Sequence, residues 1–338
     1  MRSERVVENL NRALGGLLDA DPNTYLLGED LADPYGGAFK ATKGLSSRYP
    51  GQVLSTPISE SAVVGVAGGL ALAGNKAIVE VMFSDFVTLA FDQIVNFASK
   101  SVTMYGQWVP IRLIVRCPTG GRRGYGPTHS QSLQKHFMGV PGLSLYELSP
   151  FRDSLATFHE MIASGGPCLF FEDKVLYTSR MYLNGVVDDL FSFDHLDARG
   201  TVARVWADDG DDPDCVLICP GGLVHRAVSA ARSMLIEDEL TCQILVPAKL
   251  YPFDFEPVLP LLRQSRLICV VEDSTAGGTW GADLAHAIHG LLWGRLGRPV
   301  RLVHARDSVI PAAAHLERSV LVQDSTIRRA VKESLANA

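Results

Sequence analysis

Up to about Leu176, short apolar runs alternate with stretches of helical period. That alternation predicts a layered α/β fold built on a parallel sheet. Residues near 3–20 carry an amphipathic helix pattern, and Tyr25-Leu26-Leu27 predicts a strand entering the turn Gly28-Glu29-Asp30. Further strands are expected at Ala77–Met82, Ile111–Val115, Leu145–Leu148 and Cys168–Phe171, with a helix through Phe91–Asn96. Periodicity fades from about Tyr177 to Ala198, as in a linker, and a second α/β unit starts near Gly200. Its predicted strands are Cys215–Cys219, Cys242–Val246 and Leu267–Val271, with helices around Val224–Leu235 and after Gly281. The acidic run Asp208–Asp214 reads as a solvated turn rather than a metal loop, because calcium loops need spaced ligands and a closing Glu. The domains are therefore expected at 1–178 and 200–338, joined by a linker over 179–199.

The segment Leu54–Ser61 is the most informative part of this pattern. It places Glu60 directly after an expected strand, at the mouth of a helix, Val63–Ala73, that has no polar face and so reads as buried. Gly65, Gly68, Gly69 and Gly74 weaken that helix by about 1 kcal/mol each relative to alanine, which a sequence tolerates where another backbone or a ligand comes close. An acid in that position is expected to be desolvated, with a raised pKa. The simpler alternative is a first-turn glutamate that complements the helix dipole.

Composition narrows the field. The 338 residues are 47% hydrophobic and 20% charged, enough for two ordinary globular domains. A formal net charge of −6 without a basic stripe argues against a nucleic-acid partner. The six cysteines sit mostly in apolar runs without zinc spacing, so buried reduced thiols are expected. With no signal-peptide pattern and no apolar run of bilayer length, the expected location is cytoplasmic. No Gly-x-Gly-x-x-Gly follows the first strand and no Walker sequence is present, against a simple nucleotide-binding protein.

Two more segments offer chemistry. Phe83-Ser84-Asp85-Phe86 follows a strand end, where open parallel sheets bind ligands. The loop Gly120–Gln131 holds four glycines, the pair Arg122-Arg123, and His129, a proton donor or acceptor near neutral pH. Alone, Phe86 reads as core packing and His129 as a satisfied loop residue.

Taken in order, Gly28-Glu29-Asp30, Thr56-Pro57-Ile58-Ser59-Glu60, Phe91–Asn96, His129-Ser130-Gln131 and Pro141-Gly142-Leu143 resemble the beta subunit of thiamine-diphosphate-dependent 2-oxo acid dehydrogenases, the pyruvate, branched-chain and acetoin type. The resemblance runs nearly end to end, through Pro220-Gly221-Gly222 and Val271-Glu272-Asp273 to Gly281. It implies a pyrimidine-binding domain followed by a transketolase C-terminal-like domain. It also implies that Glu60 hydrogen-bonds the cofactor's pyrimidine nitrogen, that Phe86 stacks on that ring, and that Met82 lines the pocket. His129 matches the histidine near the reacting carbon. The family's magnesium motif, an Asp-Gly-Asp with its downstream Asn, is missing. The resemblance thus implies an alpha-type partner holding the diphosphate and Mg²⁺, an α₂β₂ assembly, no metal on this chain, and acyl transfer to a lipoyl acyltransferase that docks on the second domain.

Some positions depart from the family. Gly139 stands where a second histidine is usual, with His136 one turn away, and Ser164 stands at the potassium-site aspartate. Pro127-Thr128-His129 is similar to a transketolase stretch. With Arg122-Arg123 beside it, the loop offers two alternatives, a phosphorylated ketose donor or a carrier-protein thiol acceptor; plain solvation of the two arginines is the bland reading. A non-catalytic scaffold subunit is the alternative of another class.

Overall fold

The computed structural model describes residues 3–207 and 212–336. Residues 208–211 of the acidic run lie outside the described residues. The described chain divides into two compact units, 1–120 with 136–181, and 121–135 with 182–338.

In the first unit the elements are α1 (Val6–Ala20), β1 (Thr24–Gly28), α2 (Leu45–Arg48), β2 (Val53–Ser55), α3 (Glu60–Leu72), β3 (Lys76–Glu80), α4 (Ser99–Ser101), β4 (Leu113–Thr119), β5 (Ser144–Glu147), α5 (Ser154–Ser164) and β6 (Cys168–Asp173). The strands run in the order β5-β6-β4-β3-β1-β2 with every one of these pairs parallel. Strands β4 and β6 are buried at every position, as parallel strands covered on both faces must be. Helix α1 turns Val6, Leu10, Ala13, Leu14, Leu17 and Leu18 into the core with helical period, and Asn9 Oδ1 accepts from the Ser154 amide at 2.9 Å to tie it to α5. The chain leaves α1 at Asp21, which stands before Pro22 and is extended, as pre-proline residues prefer.

Helix α3 departs from the expectation in two ways. It is not wholly buried, since Ala62, Val66, Gly69 and Ala73 are exposed along one face. Two of its glycines face side chains, whereas nothing lies within 4 Å of where a Cβ on Gly69 would stand. A Cβ on Gly68 would sit 2.4 Å from the Phe97 ring, and one on Gly65 would sit 3.2 Å from Gln93 Oε1. Gln93 and Phe97 belong to Gln93–Ala98, a π-helical turn that overlaps the expected Phe91–Asn96 helix and runs past its end. Such turns widen a helix locally and are enriched at functional sites.

In the second unit lie β7 (Ser192–His195), β8 (Val202–Trp206), β9 (Cys215–Ile218), α6 (Val224–Asp238), β10 (Cys242–Pro247), β11 (Lys249–Tyr251), α7 (Leu259–Gln264), β12 (Leu267–Thr275), α8 (Trp280–Leu291), β13 (Arg301–Ala305), α9 (Ala314–Val320) and α10 (Asp324–Ala336). Its sheet runs β13-β12-β9-β10-β8-β7. The four strands β13, β12, β9 and β10 are parallel, whereas β8 and β7 add antiparallel to one edge, so this sheet is mostly rather than purely parallel. Strand β7 falls inside the stretch expected to be a linker. Only Phe193 is buried in it, which leaves no apolar run to announce a strand. All six cysteines are buried and none is in a disulfide. No described helix is long and apolar enough to cross a membrane.

Candidate active site

Parallel pairing puts the carboxyl ends of β1, β2 and β3 on one edge of the first sheet. The register keeps them level, with Gly28 opposite Ser55 on one side and Glu80 on the other. Glu29, Glu60, Met82 and Phe86 are the residues that follow these strand ends, at the edge where open parallel sheets bind ligands.

Glu60 opens α3 and is only 8% exposed. No described residue donates a hydrogen bond to its carboxyl. Glu29 is its charged neighbour: burial first, then the charges of Glu60 and Asp30, push the Glu29 carboxyl above its ordinary range. Burying a carboxylate without donors is costly. This acid therefore fits a ligand that brings its own ring nitrogen or amine to the edge, as an aminopyrimidine does.

Phe86 lies on the 3₁₀ segment Ser84–Ala90, which packs against α3. Its ring meets Phe83 edge-on at 6.0 Å, and Phe83 meets Phe39 edge-on at 6.3 Å. The Lys174 ammonium lies 5.3 Å from the Phe83 ring centroid, and Ser84 Oγ donates to Thr119 Oγ1 at 3.0 Å. These contacts fix the half-buried Phe86, and Met82 is half-buried between the same strand and segment. A flat, anchored aromatic face beside a buried acid suits stacking and hydrogen bonding of one heteroaromatic ring.

Directly below this edge sits a charged network that sequence reasoning missed. Arg116, fully buried in β4, donates to Glu80 Oε2 at 2.7 Å and to both Glu172 oxygens at 2.7 and 2.9 Å. Tyr177 donates to Glu172 Oε2 at 2.6 Å, and the Ala38 amide donates to Glu80 Oε1 at 2.6 Å. Burial pushes the Glu80 carboxyl upward despite Arg116. It also acts against the Arg116 charge, but Glu172 and Glu80 outweigh it. Gly37 closes the site from above: at φ +71°, a Cβ there would sit 2.7 Å from Glu80 Oε1. The available signal was charged residues within three otherwise apolar strands.

The remaining expected residues are elsewhere. His129, Arg122 and Arg123 belong to the second unit. His129 is half-buried, its Nδ1 lies 3.0 Å from Thr128 Oγ1, and its amide donates to Gly126 O at 3.4 Å. An imidazole held this way is a group able to exchange protons near neutral pH. Arg122 is neither solvated nor turned to an external anion; its guanidinium pairs with Asp273 and its side chain is 8% exposed. Arg123 is half-buried in the same loop. His136, the residue at which the first unit resumes, is exposed on the 3₁₀ turn Gln134–Phe137. Ser164 Oγ donates to its own helix at Met161 O, 2.7 Å away.

Among the described residues no cluster of three His, Cys, Asp or Glu could hold a metal ion. One expectation needs correcting from the sequence itself. The acidic run does contain the triplet Asp209-Gly210-Asp211, outside the described residues. The next asparagine after it is Asn337, so the paired-asparagine half of the magnesium motif is still missing.

Comparison with known proteins agrees with this layout. Residues 5–179 match the transketolase pyrimidine-binding domain, and residues 206–327 match the transketolase C-terminal domain. The chain is 30% identical to the pyruvate dehydrogenase E1 component subunit beta of Leifsonia xyli, over 99% of this chain and 96% of that one. It is 28% identical to the acetoin:2,6-dichlorophenolindophenol oxidoreductase subunit beta of Cupriavidus necator, over 96% of both chains. Among solved structures, a split-gene transketolase described as an inactive beta4 tetramer superposes with a TM-score of 0.72 at 17% identity, covering 99% of each chain. These matches run nearly the length of the chain. The protein belongs to the family of beta subunits of thiamine-diphosphate-dependent 2-oxo acid dehydrogenases, built from transketolase-type domains.

Proposed function

We propose that this chain is the catalytic beta subunit of a 2-oxo acid dehydrogenase and that Glu60 holds the aminopyrimidine of thiamine diphosphate. The observation that carries this is the buried Glu60 carboxyl, which no described residue hydrogen-bonds, at a ligand-binding strand edge. Phe86 offers the stacking face and Met82 the apolar wall. When bound, the cofactor supplies a carbon nucleophile that adds to 2-oxo acids and allows loss of carbon dioxide. Glu60 holds a proton at the ring-nitrogen position in a site shielded from water, where a single charge-assisted hydrogen bond is strengthened. His129 orients the 2-oxo acid carboxylate or moves a proton during acyl transfer.

The same reading includes an alpha-type partner that binds the diphosphate and Mg²⁺, an α₂β₂ assembly, a lipoyl acyltransferase as acceptor and a cytoplasmic setting. Relatives named as beta subunits support the partner, as does the apolar surface beside Glu60: Ile58 is 82% exposed and Val66 59%. Apolar surface of that kind, next to a site, marks a contact for another chain.

The test is to pair the chain with an alpha-type subunit and follow carbon dioxide release from 2-oxo acids, with wild type and Glu60→Gln. Release by wild type and its collapse in the variant, with assembly intact, is the expected result. Unchanged activity in Glu60→Gln would leave only a scaffold role. Cleavage of a ketose without carbon dioxide would replace the donor.

A further inference from the structure

The loop that carries His129 precedes β5 and β6 in sequence, yet residues 121–135 pack as part of the second unit. Both of its ends are fastened there. At the first, the Arg122 amide donates to Glu317 Oε1 at 2.6 Å, and the Arg122 guanidinium pairs with Asp273. Asp273 is itself fixed, since its Oδ1 accepts from the Val322 amide at 2.9 Å. At the other end, Lys135 Nζ donates to Thr275 O at 3.0 Å, Thr275 Oγ1 at 3.1 Å and Gly277 O at 3.3 Å.

The backbone between the ends has little slack. Arg122 holds φ +71°, a left-handed conformation unfavourable for a side chain of its size, so something outside the loop must enforce it. Gly121 leaves no room to shift: a Cβ there would meet Leu321 at 2.6 Å and Glu317 Oε1 at 3.0 Å. A Cβ on Gly124 would meet Ala312 O at 3.1 Å. Asp273 and Glu317 are nearly inaccessible, at 8% and 3%, so neither serves as a surface charge.

We propose that Asp273 and Glu317 are positioning residues for His129: they clamp the left-handed Arg122, Lys135 clamps the far end, and together they set where the imidazole stands. The second domain then fixes a catalytic group in addition to mediating assembly. This rests on the reading of His129 given above.

The decisive measurement is a double-mutant cycle in the alpha–beta complex, with His129→Ala, Asp273→Asn and the pair of changes together. Misplacing a reacting group by about 1 Å costs on the order of a hundredfold, so Asp273→Asn is expected to lower kcat by about ten- to a hundredfold. Asp273→Glu, which keeps the charge, restores part of it. With His129 already removed, the Asp273 change should cost nothing further. Amide exchange in the full chain should quicken across 122–131 and not in β12.

Additive losses in the cycle, or an unchanged loop exchange rate, would overturn the proposal. Full turnover in His129→Ala would instead remove the functional reading beneath it, which is a separate outcome. If Asp273→Asn does not fold, Lys135→Met removes the opposite clamp alone and is read by the same cycle.

Discussion

Glu60 and Glu80 are both buried acids of the first unit, 8% and 3% exposed, yet their surroundings are opposite. Glu80 is saturated from within, by the Ala38 amide on one oxygen and Arg116 on the other. Glu60 receives no donor from the described chain. A protein can bury a charge for its own cohesion or for a guest, and the difference shows in who supplies the hydrogen bonds. Removing the first kind should damage the fold, and removing the second should damage the reaction.

The largest effect expected from breaking this contrast is at Glu60. Glu60→Gln keeps the shape and should lower carbon dioxide release by about 10²–10⁴-fold, the usual worth of an acid–base group. The urea midpoint should stay where it is.

Arg116→Met reverses the pattern. It strands two buried carboxylates and should cost about 3–5 kcal/mol by denaturant titration. Turnover per folded molecule should persist. A variant that lost turnover while keeping its stability would erase the distinction between the two acids.

Gly68→Ala tests the support beneath Glu60. Its added methyl group would press the Phe97 ring, from a position 2.4 Å away, and should destabilise by about 1–3 kcal/mol without removing any reacting group.

The smallest effect is a pH dependence. Glu29 has a folded-state pKa above its unfolded value, so the folded chain binds the proton more tightly. That contribution to stability is complete below the ordinary carboxylate pKa and is lost as pH rises through the raised one. Stability curves of wild type and Glu29→Gln should therefore diverge in this window, with the wild type losing more stability as pH rises. Parallel curves would mean that burial and its acidic neighbours do not raise the Glu29 pKa.

The sequence pattern made much of this legible, and the failures have common causes. Strands β3, β5, β6, β9, β10 and β12 announce themselves because strands buried on both faces are nearly continuous in apolar residues. Glu60 was legible for the same reason, as an acid bordering an apolar helix. Strands β7 and β13 were not, because they sit at the edges of the second sheet and bury one face at most. The Glu80–Arg116–Glu172 network was visible only as separate charges, since partners 36 and 56 residues apart share no local pattern. The clamp on Arg122 was hidden by a still longer separation, 195 residues from its amide to Glu317.

The excursion of residues 121–135 bears on how this chain can be divided. A cut anywhere in 182–199 would strand Arg122 and Lys135 on the fragment that lacks Asp273, Thr275 and Glu317. The two sequence domains are therefore not interchangeable parts. Grafting the latter half of a relative onto this chain would transplant stability but scramble the histidine loop, unless the matching arginine, lysine and acids travelled with it.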